Sequence, residues 1–112
     1  MDVTRGDIWL IYLEPTKGKE QAGNRPALVV SDDRLNQSAA GLVIIVPLTS
    51  KNKGIDSHIP LDPEQDDIKA PSYVVCEQIR AISKERLKKK WGAVSAVKMA
   101  QVEESIKFLL GM

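Results

Sequence analysis

The sequence predicts a mainly β domain of the α+β kind: a small, strongly curved sheet or barrel with one C-terminal helix packed on it. Three observations carry this. Short β-rich apolar runs recur along the chain, as IWLIYL, ALVV, LVIIVPL and YVVC. Polar stretches rich in Pro and Gly, such as EPTKGKEQAGNRP, separate them. Only one segment, near the end, has the three-and-four apolar spacing of a long helix.

Arg5–Leu13 reads as a strand apolar on both faces, with Ile8, Leu10 and Tyr12 on one and Trp9, Ile11 and Leu13 on the other. A central strand buried on both sides has this pattern. Pro26 lacks a ladder donor and is expected to open the second strand, which Ala27–Ser31 continue. Asp32–Ala40 fits a loop with one helical turn. Leu42–Leu48 is the third strand, with Pro47 making its end an edge or bulge. After the basic turn Lys51–Gly54, Ser57–Leu61 is a short strand. Asp62–Pro71, with two prolines and three aspartates, is a loop. Ser72–Ile82 is the fourth substantial strand. There Glu77 shares a face with Val75 and Ile79, an irregularity that implies a bulge or a functional face.

The helix follows Ser95, its expected N-cap, with Val94 and Met99 placed as a hydrophobic staple. Met99, Val102, Ile106 and Leu109 form the apolar stripe. Glu103 and Lys107 are an i,i+4 pair, and Gly111 marks the end.

A chain of 112 residues is expected to form one domain, spanning 1–112. Its 43% hydrophobic and 28% charged residues are those of a soluble globular protein. No apolar run approaches the roughly eighteen residues needed to cross a bilayer, so no membrane role is expected. The start, MDVTRGDIWL, lacks the parts of a signal peptide, which makes the cytoplasm the expected compartment. The single cysteine, Cys76, excludes an internal disulfide and reads as a small buried hydrophobe. The net charge of +1 does not advertise nucleic-acid binding. Local charge does cluster in KERLKKK, residues 84–90, which reads as a solvated turn or single helical turn, with RNA steering as the alternative. Trp91 is expected to pack under that segment, with base stacking as the alternative.

Most catalytic signatures are absent. His58 is the only histidine, and in DSHIP its neighbours alternate faces, so adjacency builds no triad. It reads as a surface or strand-edge residue. The acidic run PEQDD reads as solvated surface, so neither a metal nor a cofactor is expected. What remains is an enzyme working without metal, histidine or cysteine, or a binding module. One reaction suits arginine, threonine and carboxylate groups. RNA carries its own nucleophile, the 2′-OH, beside the scissile phosphate. The protein then aligns the ribose, helps move protons and offsets charge on the phosphorane with a guanidinium, whose planar fork matches phosphate oxygens.

The run RGDIWLIYLEPTKGKEQAGNRPALVV, followed by VPLTS and VVCEQIRAI, resembles the MazF/PemK (Kid) family of toxin endoribonucleases. The resemblance covers nearly the whole chain. It implies a CcdB/PemK-like toxin fold, an SH3-like β-barrel with a C-terminal helix, acting as a homodimer. It also implies cleavage of single-stranded RNA without metal, leaving 2′,3′-cyclic phosphate and 5′-OH ends. A cognate MazE/PemI-like antitoxin would block the RNA groove with a disordered tail that orders on binding.

Carried over by position, the catalytic pair implied is Arg25 at the phosphate and Thr49 hydrogen-bonding the reacting phosphate or ribose. Glu20 and Gln21 match the EQ of the loop that closes over RNA. Glu77, Gln78 and Arg80 match an EQxR element that supports the site or the dimer. Lys19, Asn24, Ser50 and Lys51 flank these groups as RNA-binding or supporting positions. One branch of the family has a histidine where this chain has Lys19 and a catalytic arginine where it has Val75. The chain thus stands nearer the branch that relies on the arginine–threonine pair, with the general acid and base left open. Two alternatives stay in view: a CcdB-like toxin that poisons gyrase without catalysis, and an inactive SH3-like RNA- or protein-binding module.

Overall fold

The computed structural model describes residues 2–13 and 23–112. Its strands are β1 (Asp7–Tyr12), β2 (Asn24–Val29), β3 (Leu42–Thr49), β4 (His58–Leu61), β5 (Ser72–Val75), β6 (Arg80–Ser83) and β7 (Leu87–Ala93). Two α-helices accompany them, the short α1 (Asp33–Asn36) and the long α2 (Ala96–Leu110). The strands are antiparallel in the order β4-β5-β3-β2-β1-β7, and β6 also pairs with β3. Among the described residues β7 pairs only with β1 and β4 only with β5, so the expected barrel is an open sheet.

β1 is central, as its two apolar faces require, and each face joins a different core. Trp9, Ile11 and Leu13 pack with Ala27, Val29, Val43, Ile45, Ile82 and Leu87. Ile8 lies on the other side with Leu28, Val46, Leu48, Val74, Cys76 and Val102 of α2. Tyr12, at the strand's end, is exposed. Ser95 caps α2 by accepting from the Lys98 N–H at 3.2 Å. Gly111 ends the helix in the left-handed conformation, at φ 71°. Val94, Met99 and Ile106 pack against the second core, whereas Leu109 is largely exposed. Glu103 is engaged by Arg5 at the foot of β1, so its partner lies across the fold rather than one turn along the helix.

Three strand assignments change. β2 begins at Asn24, with Pro26 inside it, opposite Leu10. The proline is tolerated because the β2–β3 ladder starts only at Ala27, which leaves one side of Pro26 without a strand to pair. The run Ser72–Ile82 is two strands split by a 3-10 turn at Cys76–Gln78. Leu48 faces Val74 whereas Ile45 faces Arg80, so three residues along β3 match six along the other chain segment. The turn absorbs the three extra residues and reverses which side chains face inward, which is the source of the broken alternation in the sequence. Finally, KERLKKK is a 3-10 turn followed by the start of β7, an edge strand on β1. Its lysines conceal a strand because an edge needs few buried side chains and tolerates charge; only Leu87 and Gly92 of β7 are buried.

β7 is also held from outside. At Gly92 an added Cβ would come within 2.4 Å of the Asp67 carbonyl oxygen, so this glycine lets the acidic loop 62–71 lie directly on the strand.

Candidate active site at a fork in the sheet

β2 and β3 are paired through Val29–Ile45, Leu28–Val46 and Ala27–Pro47, and there the ladder stops. Beyond that rung each tip follows its outer neighbour. Residues Asn24–Pro26 stay with β1, while Leu48 and Thr49 stay with β5. A proline stands on both sides of the parting point, Pro26 on one strand and Pro47 on the other, and each lacks a backbone donor. The sheet therefore forks.

Arg25 and Thr49 stand at that fork. Continuing the register two positions past Ala27 and Pro47 sets one opposite the other. By strand alternation Arg25 lies on the face of Ala27 and Val29, and Thr49 on that of Ile45. These apolar residues belong to one core layer, so the pair occupies the polar end of a single face. Arg80 joins them there: it opens β6 opposite Ile45 and shares the side of Ile82. Arg25 and Arg80 are half-buried, whereas Thr49 is only 6% exposed. The Thr49 hydroxyl accepts from the Lys51 N–H at 3.3 Å, which fixes its rotamer at the start of the following turn.

Asn24 is exposed beside Arg25, and Ser50 and Lys51 are exposed after Thr49, so these three rim the fork. Lys19, Glu20 and Gln21 lie outside the described residues. Glu77 and Gln78 sit in the 3-10 turn, which packs against β3. Glu77 accepts from the Ser57 hydroxyl at 2.8 Å and bonds Nε2 of His58 at 2.6 Å. His58 is thus a buried residue on an edge strand, not a surface one. Sequence spacing hid this pair because nearly twenty residues separate its members; the only signal was a lone polar residue out of phase on a strand. By pairing, His58 stands opposite Val75, and Thr49 stands opposite Tyr73. The histidine and threonine therefore share a face of this half of the sheet.

Chemically, the fork offers two guanidinium groups and a fixed hydroxyl on one face. Guanidinium suits an oxyanion with two or three accessible oxygens, and a buried threonine hydroxyl can donate to one more. Among the described residues no three His, Cys, Asp or Glu side chains gather as a metal-binding group. Cys76 is fully buried, and burial pushes its thiol pKa up, with a Ser105 hydrogen bond opposing and the Glu77 charge adding to the rise. Among the described residues no helix is long and apolar enough to cross a membrane.

A forked, open antiparallel sheet backed by one helix, with arginines and a threonine at the fork, defines a small, mainly β domain. The chain belongs to the PemK-like, MazF-like toxins of type II toxin–antitoxin systems, whose family model matches residues 4–110. It is 37% identical to the endoribonuclease MazF9 of Mycobacterium tuberculosis over 113 residues, covering 96% of each chain. The crystal structure of MazF from Deinococcus radiodurans superposes with a TM-score of 0.87 at 28% identity, over 98% of this chain and 97% of that one. The MazE–MazF complex from the same organism gives 0.81 at 28% identity, over 98% and 96%.

Proposed function

We propose that this toxin is an endoribonuclease that cleaves single-stranded mRNA at a short sequence, without metal and independently of the ribosome. The observation that carries the reading is the placement of Arg25 and Thr49 across the forked strand ends, with Arg80 on the same face. In this reading the scissile phosphate lies at the fork. Arg25 donates to its non-bridging oxygens and offsets the charge that grows as the 2′-OH attacks. Thr49 orients the phosphate or ribose, and its low exposure holds the hydroxyl in one position before substrate arrives. Attack of the 2′-oxygen on phosphorus expels the 5′-oxygen of the next nucleotide, giving 2′,3′-cyclic phosphate and 5′-OH ends. An arginine keeps its proton at neutral pH, so electrostatic stabilisation is its role. Lys19, Glu20 and Gln21 close over the RNA, while Asn24, Ser50 and Lys51 line its path; Glu77, Gln78 and Arg80 brace the site.

The endoribonuclease names of the relatives and the antitoxin complexes among the structural neighbours support the same reading. The partners proposed are a second copy of the chain and a MazE-like antitoxin that covers the RNA groove. The test is digestion of a defined long RNA by purified protein in excess EDTA, with the new ends sequenced and chemically typed. Discrete cuts bearing cyclic phosphates are expected. Intact RNA, or cutting that stops with EDTA and returns with a divalent ion, would refute the proposal.

A further inference from the structure

Behind the fork, on the face opposite Arg25 and Thr49, lies a cavity of about 230 Å³. The two residues next to the site line it, Pro26 from β2 and Leu48 from β3, so it begins one residue away along each strand tip. Ile68 continues its apolar wall, and Trp91 of β7 forms a flat side that is 39% exposed. Lys69 also lines the cavity, its Nζ lying over the Trp91 ring at 5.9 Å from the centre. Ser72 also lines the cavity; its hydroxyl donates to the Ala70 carbonyl at 3.2 Å, which leaves the oxygen free to accept from a ligand.

An ordinary core gap would be closed, dry and without an exposed indole. This one is open and small for a drug-sized ligand, whose pockets run to roughly 300–1,000 Å³. It combines an aromatic plate, aliphatic walls, one acceptor and a cation over the plate. That is the chemistry of a flat heteroaromatic ring attached to a phosphate. Bases of single-stranded nucleic acid stack on such plates, and nearby lysines hold the backbone. Lys88 and Lys89 of the same strand as Trp91 are exposed, while Lys90 is ion-paired with Asp7 at 3.3 Å.

We propose that this cavity receives one nucleobase of the RNA strand, next to the phosphate held at the fork, and so sets one position of the cleavage sequence. The base stacks on Trp91 in place of the Lys69 ammonium, which turns to the adjoining phosphate, and the Ser72 oxygen accepts from an amino or ring N–H of the base. The inference rests on the RNA-cleavage reading, but the occupancy of the cavity can be measured without cleavage.

The experiment has two arms on the full chain. In the first, a single-stranded RNA pool randomised in sequence is cut and the ends sequenced, for the native protein and for Trp91→Leu, Trp91→Tyr and Lys69→Ala. Trp91→Leu is expected to flatten the base preference at one position beside the cut and leave the others unchanged. The best substrate should lose roughly tenfold in kcat/KM, mostly through KM. Trp91→Tyr keeps a ring and should retain the preference, and Lys69→Ala should raise KM without changing the sequence cut. In the second arm, tryptophan fluorescence is titrated with a 2′-O-methyl RNA oligomer that cannot be cleaved. Trp9 is buried, so quenching should come from Trp91 and vanish in Trp91→Tyr. An unchanged motif in Trp91→Leu overturns the proposal. So does a saturating oligomer that leaves Trp91 emission untouched. Quenching by a protein that cuts no RNA would uphold the cavity and reject the nuclease reading.

Discussion

His58 and Glu77 are joined by a 2.6 Å bond that ties the first residue of β4 to the 3-10 turn between β5 and β6. Burial, the largest single influence on the Glu77 carboxyl, works to raise its pKa. The hydrogen bonds from His58, the backbone and Ser57 together outweigh it and hold the pKa below its ordinary 4.5. An ionised carboxylate only accepts, so Nε2 carries the proton. Nδ1 has no hydrogen-bond partner among the described residues.

A pH dependence follows from that bond. The folded pKa of Glu77 lies below the unfolded one, so its contribution to stability is complete above the unfolded value and is lost as pH falls through the folded one. Urea midpoints of native protein and Glu77→Gln should differ by a constant amount from pH 7 down to roughly pH 5.5. The gap should narrow steadily below pH 4.5, the ordinary value for this group. A gap that stays constant to pH 3 would remove the bond from the stability of the fold.

Arg25 and Thr49 separate by their chemistry. Arg25→Lys keeps the charge but loses the two-pronged donor, and Thr49→Val keeps the shape but loses the hydroxyl. Each should lower cleavage of a single-stranded oligomer by on the order of 10²–10³-fold, with thermal unfolding nearly unchanged. Thr49→Ser restores the hydroxyl and should recover most activity. Full activity in Arg25→Lys or Thr49→Val would remove that residue from the chemistry.

Gly92→Ala tests the contact between the acidic loop and β7. The added methyl meets backbone at 2.4 Å, which no side-chain rotation relieves. A loss of about 1–3 kcal/mol in unfolding free energy is expected. The loop should also become more open to proteolysis than in the native protein.

Cys76 should be inert in the folded chain. It is fully buried with a raised pKa, so little thiolate is present and none is reachable. A disulfide reagent at pH 8 should titrate one thiol in urea and none on the same timescale without it. Rapid labelling under native conditions would mean that α2 lifts from the sheet, since Cys76 packs in the same core as Val102.

Most of the fold was legible because period and caps carried it. The two faces of β1, the Ser95 cap and the Met99–Val102–Ile106 stripe are local patterns, and each occurs in the structure. β7 was not legible because an edge strand of lysines has the composition of a turn. The split of Ser72–Ile82 appeared only as faulty alternation; its cause, three residues looped out against β3, exists only once the partner strand is known. Arg25 and Thr49 were singled out through family resemblance, not from spacing. Their placement at the two strand tips depends on the β2–β3 register, to which no local pattern points. Trp91 was expected beneath the basic segment, yet it is an exposed residue walling a cavity behind the fork.

The paired prolines at the parting of β2 and β3 make that gap a covalent property of the chain. Ordinary residues at positions 26 and 47 could offer N–H groups to bridge the tips, and thermal motion would zip and unzip them. Pro26 and Pro47 have none to offer. Without an N–H on Pro26 the tips have one hydrogen bond fewer with which to close the gap. Restoring the donors, as in Pro26→Ala with Pro47→Ala, would give the sheet a means of sealing its own mouth.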